Sequence, residues 1–288
     1  MKTLAISGGS GFLGRSIITS LKDFPLKIIA TKRNEKKIKI PKFKNLKWID
    51  FDLNQNHNDL FEVFEKPDFF IHLAWGNLPN YESNLHLDHE FEIQKKFLKE
   101  LINQGLSNLL VTGTCFEYGN QEGKLKEITP VLPDNPYAKA KDNLRKFLFD
   151  LQREKKFNLV WARLFYTYGE GQNPKSIYSQ FLKATKSKKK TFNMSLGMQK
   201  RDYLNVKELS KYLIKLSLLE KDCGIVNVCS GKPIRIRDLV EKWQEELGIS
   251  LDINYGYYDY PKYEPFEFWG DPSKLNNLLS IENNKLIY

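Results

Sequence analysis

The chain has 288 residues, a formal net charge of +10, and 41% hydrophobic and 28% charged residues. That length suits one large α/β unit with a sizeable core, and the balance excludes a disordered chain, which lacks the apolar surface to offset its conformational entropy. The positive excess gathers in Lys32 to Lys47 and Lys183 to Lys190 without an amphipathic stripe or an aromatic platform, so solvated faces are expected and no nucleic-acid partner.

The first element, TLAIS, is an apolar run of strand length preceded only by Met1 and Lys2. Its apolar part, Leu4 to Ile6, is shorter than the roughly 7 to 15 residues of a secretory leader core. No later run approaches the roughly 20 residues that cross a bilayer, and a cytoplasmic protein without membrane attachment is expected. Next, AISGGSGFLGRS satisfies Gly9-x-Gly11-x-x-Gly14 and Gly8-x-x-Gly11-x-x-Gly14 together. FLGRSIITSL follows, with Leu13, Ile17, Ile18 and Leu21 on one helical face. Glycines between a strand and a helix let a pyrophosphate approach the backbone and the helix N-terminus, so a dinucleotide is expected there.

The second strand, LKIIA, runs into Thr31, Lys32 and Arg33. An acid at this point hydrogen-bonds the adenosine ribose of NAD, whereas a basic group suits the extra phosphate of NADP. Lys32 and Arg33 occupy the acid's place, making NADP(H) the expected cofactor and NAD(H) the alternative.

LKWID, FFIHLA, NLLVT and NLVWARLF continue the strands, with the helical face of EFEIQKKFLKELI between them. Such a succession predicts a doubly wound parallel sheet of the Rossmann type, with ligands beyond the carboxyl ends of its strands. DNPYAKAKDNLR places Tyr137 and Lys141 four residues apart on one helix face, with Pro136 in the first turn. A cation beside a phenol favours the phenolate, so Lys141 is expected to lower the pKa of Tyr137. The dinucleotide-binding unit is expected to span 1–165. Residues 166–288 are expected to form mainly a smaller, discontinuous α+β substrate unit. GIVNVCSG reads as a strand and turn within it, although part of 200–230 should return to the main sheet. Cys115, Cys223 and Cys229 are odd in number and lack ligand spacing, which disfavours a disulfide framework and a metal site.

GGSGFLG, Asp52-Leu53, His72 to Ala74, TGTCFEYGN, YAKAK, RLFYTYGEGQ, KRDYLNV and DPSK follow one another along nearly the whole chain. In this order the chain resembles the extended short-chain dehydrogenase/reductase family, the sugar-nucleotide epimerases, dehydratases and reductases. The resemblance implies a catalytic hydroxyl four residues before a Tyr-Gly pair, which is Thr114. Thr114 would then bond the reacting oxygen, Tyr137 would exchange its proton, and Lys141 would hold the nicotinamide ribose. It implies a cofactor set of Gly8, Ser10, Gly11, Phe12, Leu13, Gly14, Lys32, Arg33, Asp52, Leu53, Leu73, Ala74 and Trp75, with Tyr137 and Lys141. On the substrate side it points to Trp75, Cys115, Tyr166, Arg201 for the diphosphate, and Lys262 as a second cation.

The family's 4,6-dehydratases follow this hydroxyl with Asp-Glu, where this chain has Cys115 and Phe116. Glu117 comes one position later and, in an extended segment, would face the opposite way, which disfavours a dehydratase. GDP-fucose synthase-like enzymes pair a nearby thiol with a histidine of the substrate unit. Here His57, His72, His86 and His89 all precede that unit, leaving Cys115 to line the pocket or pack. The expected reaction is NADPH-dependent reduction of the C4 ketone of a nucleotide-linked 4-keto-6-deoxy sugar, for surface polysaccharide synthesis. A 4-epimerase with retained NAD is the alternative, and a non-catalytic NADP-binding sensor or scaffold is the reading from another class. The family's dimers pair two helices per subunit, here EFEIQKKFLKELI and the helix carrying Tyr137. The latter's Leu144, Phe147, Leu148 and Leu151 suit a homodimer or packing on the sheet equally.

Overall fold

A computed structural model describes residues 1–32, 39–55, 58–187, 190–260 and 265–282. The chain alternates β1 (Thr3–Ser7), α1 (Phe12–Ser20), β2 (Lys27–Lys32), β3 (Leu46–Asp50), α2 (Leu60–Val63), β4 (Phe69–His72), α3 (Phe91–Asn103), β5 (Asn108–Thr114), β6 (Gly123–Leu125), α4 (Pro136–Glu154) and β7 (Asn158–Leu164). Then come β8 (Tyr166–Tyr168), α5 (Ile177–Thr185), β9 (Thr191–Asn193), β10 (Lys200–Asn205), α6 (Val206–Ser217), β11 (Gly224–Val228), β12 (Pro233–Arg235), α7 (Ile236–Leu247), β13 (Asp252–Asn254), β14 (Phe268–Gly270) and α8 (Ser273–Glu282).

Seven strands form one sheet in the order β11-β7-β5-β4-β1-β2-β3, every pair parallel. The strands read as continuous apolar runs because both faces are covered. On one face Leu4, Ile6, Ile28 and Ala30 pack with Ile17 of α1 and Leu213 of α6; on the other Ala5, Ile29, Phe70 and Val111 pack with Leu98 of α3 and Leu148 of α4. The chain reverses its direction of winding between β1 and β4, and a crevice opens there beyond the strand ends.

The strand in GIVNVCSG is β11, which lies within 200–230 and extends the main sheet in register with β7. An apolar strand is stabilised wherever a neighbour offers a matching ladder, and proximity in sequence does not choose that neighbour. Elsewhere the later residues build a three-stranded sheet, β12-β10-β8, and the pairs β13-β9 and β14-β6. Tyr168, Phe181, Phe192 and Trp243 give the three-stranded sheet and β13-β9 a separate aromatic core, while Leu125 of β6 and Phe268 of β14 pack with Cys115, Tyr118, Phe165 and Cys229. Among the described residues no helix is long and apolar enough to cross a membrane.

Candidate active site

The floor of the crevice is the turn after β1. Gly8 adopts φ +73°, and a Cβ on it would come within 2.8 Å of the Ala74 nitrogen. A Cβ on Gly14 would come within 2.4 Å of the Gly8 carbonyl oxygen, so α1 can press on the turn only without a side chain there. No side chain caps the start of α1, which leaves its first amides for an anion. Gly8 N–H donates to Thr31 Oγ1 at 2.8 Å, tying the turn to β2.

A groove of about 280 Å³ leads from this turn past Ser10, Thr31, Asp52, Leu53, Leu73 and Ala74. It shares Gly8, Gly11, Leu73 and Trp75 with a chamber of about 730 Å³ that also reaches Phe12, Leu13, Gly14, Thr114, Tyr137 and Lys141. An uncapped helix start, glycines where side chains would collide, and a continuous groove fit a dinucleotide.

Lys32 does not line this groove. Strand alternation turns Thr31 inward, and Lys32 Nζ lies 3.3 Å from Asp50 Oδ1 of β3. The Lys32 charge is thus paired with a carboxylate of the neighbouring strand outside the groove. Arg33, Lys262 and His57 lie outside the described residues.

Thr114, Tyr137 and Lys141 come together at the chamber wall. Asn135 caps α4, accepting from Ala138 N at 2.9 Å, and so starts the helix that carries Tyr137 and Lys141. Tyr137 and Thr114 line the chamber together, and the Thr114 side chain acts to lower the Tyr137 pKa. Lys141 Nζ donates to the Thr112 carbonyl at 2.9 Å and lies 3.9 Å from the Trp75 ring centroid. Burial pulls the Lys141 pKa down to about 7, against the carboxylates of Glu117 and Glu90.

The expectation that Lys141 makes Tyr137 more acidic is overturned. Burial raises the Tyr137 pKa far above that of an ordinary phenol, Tyr81, Glu117 and Cys115 push the same way, and only the Thr114 side chain opposes them. Desolvation of the phenolate prevails because Lys141 is itself desolvated, with its ammonium 5.9 Å from the phenol ring. The phenol therefore holds its proton firmly.

Cys115 and Tyr166 also line the chamber, as does Phe116. Arg201 does not. It has no exposed surface, donates from Nη1 to the carbonyls of Lys200 and Phe266, and lies 4.9 Å from the Phe268 ring centroid. The stretch after Thr114 is a 3-10 turn over Cys115–Tyr118, and Thr114 caps it. The extended segment expected here is thereby corrected, whereas Glu117 is turned away from the chamber as expected: its carboxylate is enclosed and bonded to Arg163 and Trp161.

Sequence reasoning missed Tyr81 and His86. The rings of both stand 5.3 Å from that of Tyr137. His86 Nδ1 accepts from Trp75 Nε1 at 3.1 Å, which leaves Nε2–H to donate to the Asn80 carbonyl at 2.9 Å, a neutral ring. Burial lowers its pKa, in agreement. Their segment has no periodicity to mark it, and only folding brings it over α4.

Among curated proteins the chain is similar to the dTDP-6-deoxy-L-talose 4-dehydrogenase (NAD(+)) of Aggregatibacter actinomycetemcomitans, 29% identical over 93% of this chain and 98% of that protein. It is similar to the dTDP-4-dehydro-6-deoxyglucose reductase of Escherichia coli, 23% identical over 87% of this chain and 83% of that protein. Among solved structures, the UDP-N-acetylglucosamine 4-epimerase from Methanobrevibacter ruminantium M1 superposes with a TM-score of 0.84 at 25% identity, covering 96% of this chain and 91% of that one. The profile of the NAD dependent epimerase/dehydratase family matches residues 4–229, most of the sheet and the whole Thr114, Tyr137 and Lys141 cluster, and the chain belongs to that family.

Proposed function

We propose that this enzyme reduces the C4 ketone of a nucleotide-linked 4-keto-6-deoxy sugar. The observation that carries the reading is the meeting of Thr114, Tyr137 and Lys141 in a chamber continuous with the glycine turn. The dinucleotide, when bound, supplies the hydride to C4. Thr114 donates a hydrogen bond to the C4 oxygen, and Tyr137 gives that oxygen its proton as negative charge develops. A phenol whose proton affinity burial has raised suits the role of acid toward an alkoxide, an even stronger base. Lys141 would hold the nicotinamide ribose, and Gly8, Gly11 and the start of α1 would hold the pyrophosphate. Trp75, Cys115 and Tyr166 bound the sugar.

Two named relatives support C4 oxidoreduction of a dTDP-linked 6-deoxy sugar, one as a dehydrogenase and one as a reductase. NADPH is the proposed reductant, on the charge of Lys32 and Arg33. NADH is the second reading, favoured by the pairing of Lys32 with Asp50 and by the NAD(+) of the first relative. The proposal includes a cytoplasmic homodimer serving surface polysaccharide synthesis, which sedimentation velocity tests for its oligomeric state.

Incubation with NADPH or NADH and a panel of dTDP-, GDP- and CDP-linked 4-keto-6-deoxy sugars tests the function. Oxidation of the dinucleotide with formation of the C4 alcohol is expected. Tightly held NAD in the purified protein, with interconversion of C4 epimers and no net oxidation, would replace the reading with a 4-epimerase. Dinucleotide binding with no turnover of any sugar would leave a sensor or scaffold.

A further inference from the structure

One ionised group next to Thr114 has no part in the chemistry above. Glu117 has no exposed surface, and neither has its partner Arg163. Glu117 Oε1 accepts from Thr114 N at 2.8 Å and from Trp161 Nε1 at 3.0 Å; Oε2 accepts from Arg163 Nε at 2.9 Å, with Nη2 at 2.8 Å. In return Thr114 Oγ1 accepts from Phe116 N at 3.3 Å, which completes a reciprocal cap on the turn. The carboxylate fills the space that a side chain on Gly113 would need. A Cβ there would come within 2.5 Å of Glu117 Oε1 and 2.3 Å of Trp161 Nε1.

A buried ion pair is weak evidence of stability, because apolar groups of similar volume often serve a fold as well. This one fixes a direction. With its N–H held from behind, Thr114 ends β5 at the chamber wall, which it lines together with Tyr137. We propose that Glu117 is a positioning residue for the reaction: held by Arg163 and Trp161 behind Gly113, its carboxylate sets the turn that presents the Thr114 hydroxyl to Tyr137 and to the reacting oxygen. The inference rests on the reductive reading given above.

The carboxylate also acts at a distance. Lys141 is faced by His72 from β4, by His86 and Glu90 from the turn before α3, by Tyr137 on its own helix and by Glu117 from behind β5. Burial keeps both histidines neutral, so Glu90 and Glu117 are the charges that favour the Lys141 ammonium.

Two variants separate positioning from folding. Glu117→Gln keeps an acceptor oxygen and removes the charge; Glu117→Leu with Arg163→Met replaces the whole pair by apolar groups. For both, kcat is expected to fall about 10- to 100-fold, the loss that a small misplacement brings. KM and dinucleotide affinity should stay within about 3-fold of wild type, since the interaction lost belongs to the chemical step. The double variant should recover the thermal midpoint without recovering kcat. In threonine- and lysine-labelled protein the Thr114 methyl resonance should move, and Lys141 should titrate at lower pH. A double variant with wild-type kcat, an unmoved Thr114 resonance and unchanged Lys141 titration would show Glu117 to be structural only and overturn the proposal. If the wild type turns over none of the sugar nucleotides, the reductive reading fails by itself, and the two resonances still decide the role of Glu117.

Discussion

At the scale of single residues, the site is governed by desolvation more than by pairing. Tyr-x-x-x-Lys placed phenol and ammonium on one helix face, and that much was legible in the sequence. Their proton affinities were not, because these depend on how much water the rest of the chain removes. Tyr137 is 8% and Lys141 2% exposed, and in both cases burial opposes the charged form and prevails. Tyr137→Phe should lower kcat by about 100- to 10,000-fold, the range for general acid–base catalysis. Its dinucleotide affinity, measured by fluorescence titration, should change little. Lys141 offers a test by pH. Its pKa is about 7 in the fold and 10.5 ordinarily, so between these values the unfolded chain holds a proton that the folded chain lacks. Stability contributed by this residue therefore rises with pH across that window and levels off above it. Thermal midpoints without ligand, taken from pH 7 upward, should show a rise in the wild type that Lys141→Met loses.

At the scale of elements, boundaries and faces followed local signals where those signals were strong. Gly11 opens α1 and Asn135 caps α4, and the apolar runs form the strands read from them. The α4 side chains compatible with a dimer resolve differently. Leu144, Leu148 and Leu151 are buried in the chain's own core with Leu98 and Leu101 of α3, and Phe147 packs against the same cluster. A helical stripe reveals that a face is covered; it does not say by what. The turn after Thr114 shows the same limit, since nothing in CFEY distinguishes an extended segment from a 3-10 turn until Glu117 finds its buried partners. The glycine turn offers a sharper test. In Gly14→Ala the new methyl would meet the Gly8 carbonyl oxygen at 2.4 Å and the Gly9 carbonyl oxygen at 2.6 Å, and backbone on both sides cannot yield cheaply. Calorimetry should show dinucleotide affinity reduced about 10-fold or more, and stability should fall by about 1–3 kcal/mol, as for overpacking.

Across the whole molecule, the smaller sheets are tied to the large one through a buried carboxylate. Asp202 of β10 accepts from Ser230 N at 2.7 Å, Ser230 Oγ at 2.6 Å, Gly231 N at 2.8 Å and Gly270 N at 3.3 Å, so the end of β11 and strand β14 are held at one point. Burial raises its pKa, and these four donors act to lower it. Asp202→Ala leaves buried N–H groups without an acceptor and should cost about 2–4 kcal/mol in urea unfolding. The sequence by itself determined the succession of strands and helices, the glycine turn and the helix face shared by Tyr137 and Lys141. Each of these is written within a few consecutive residues, as backbone freedom or as a repeat of two or 3.6. Only the tertiary structure decided that β11 pairs with β7, that Asp50 answers Lys32, that Tyr81 and His86 stand over the phenol, and that Glu117 turns inward to Arg163, 46 residues away. Burial and electrostatics sum over neighbours in space, and those neighbours exist only once the chain has closed on itself.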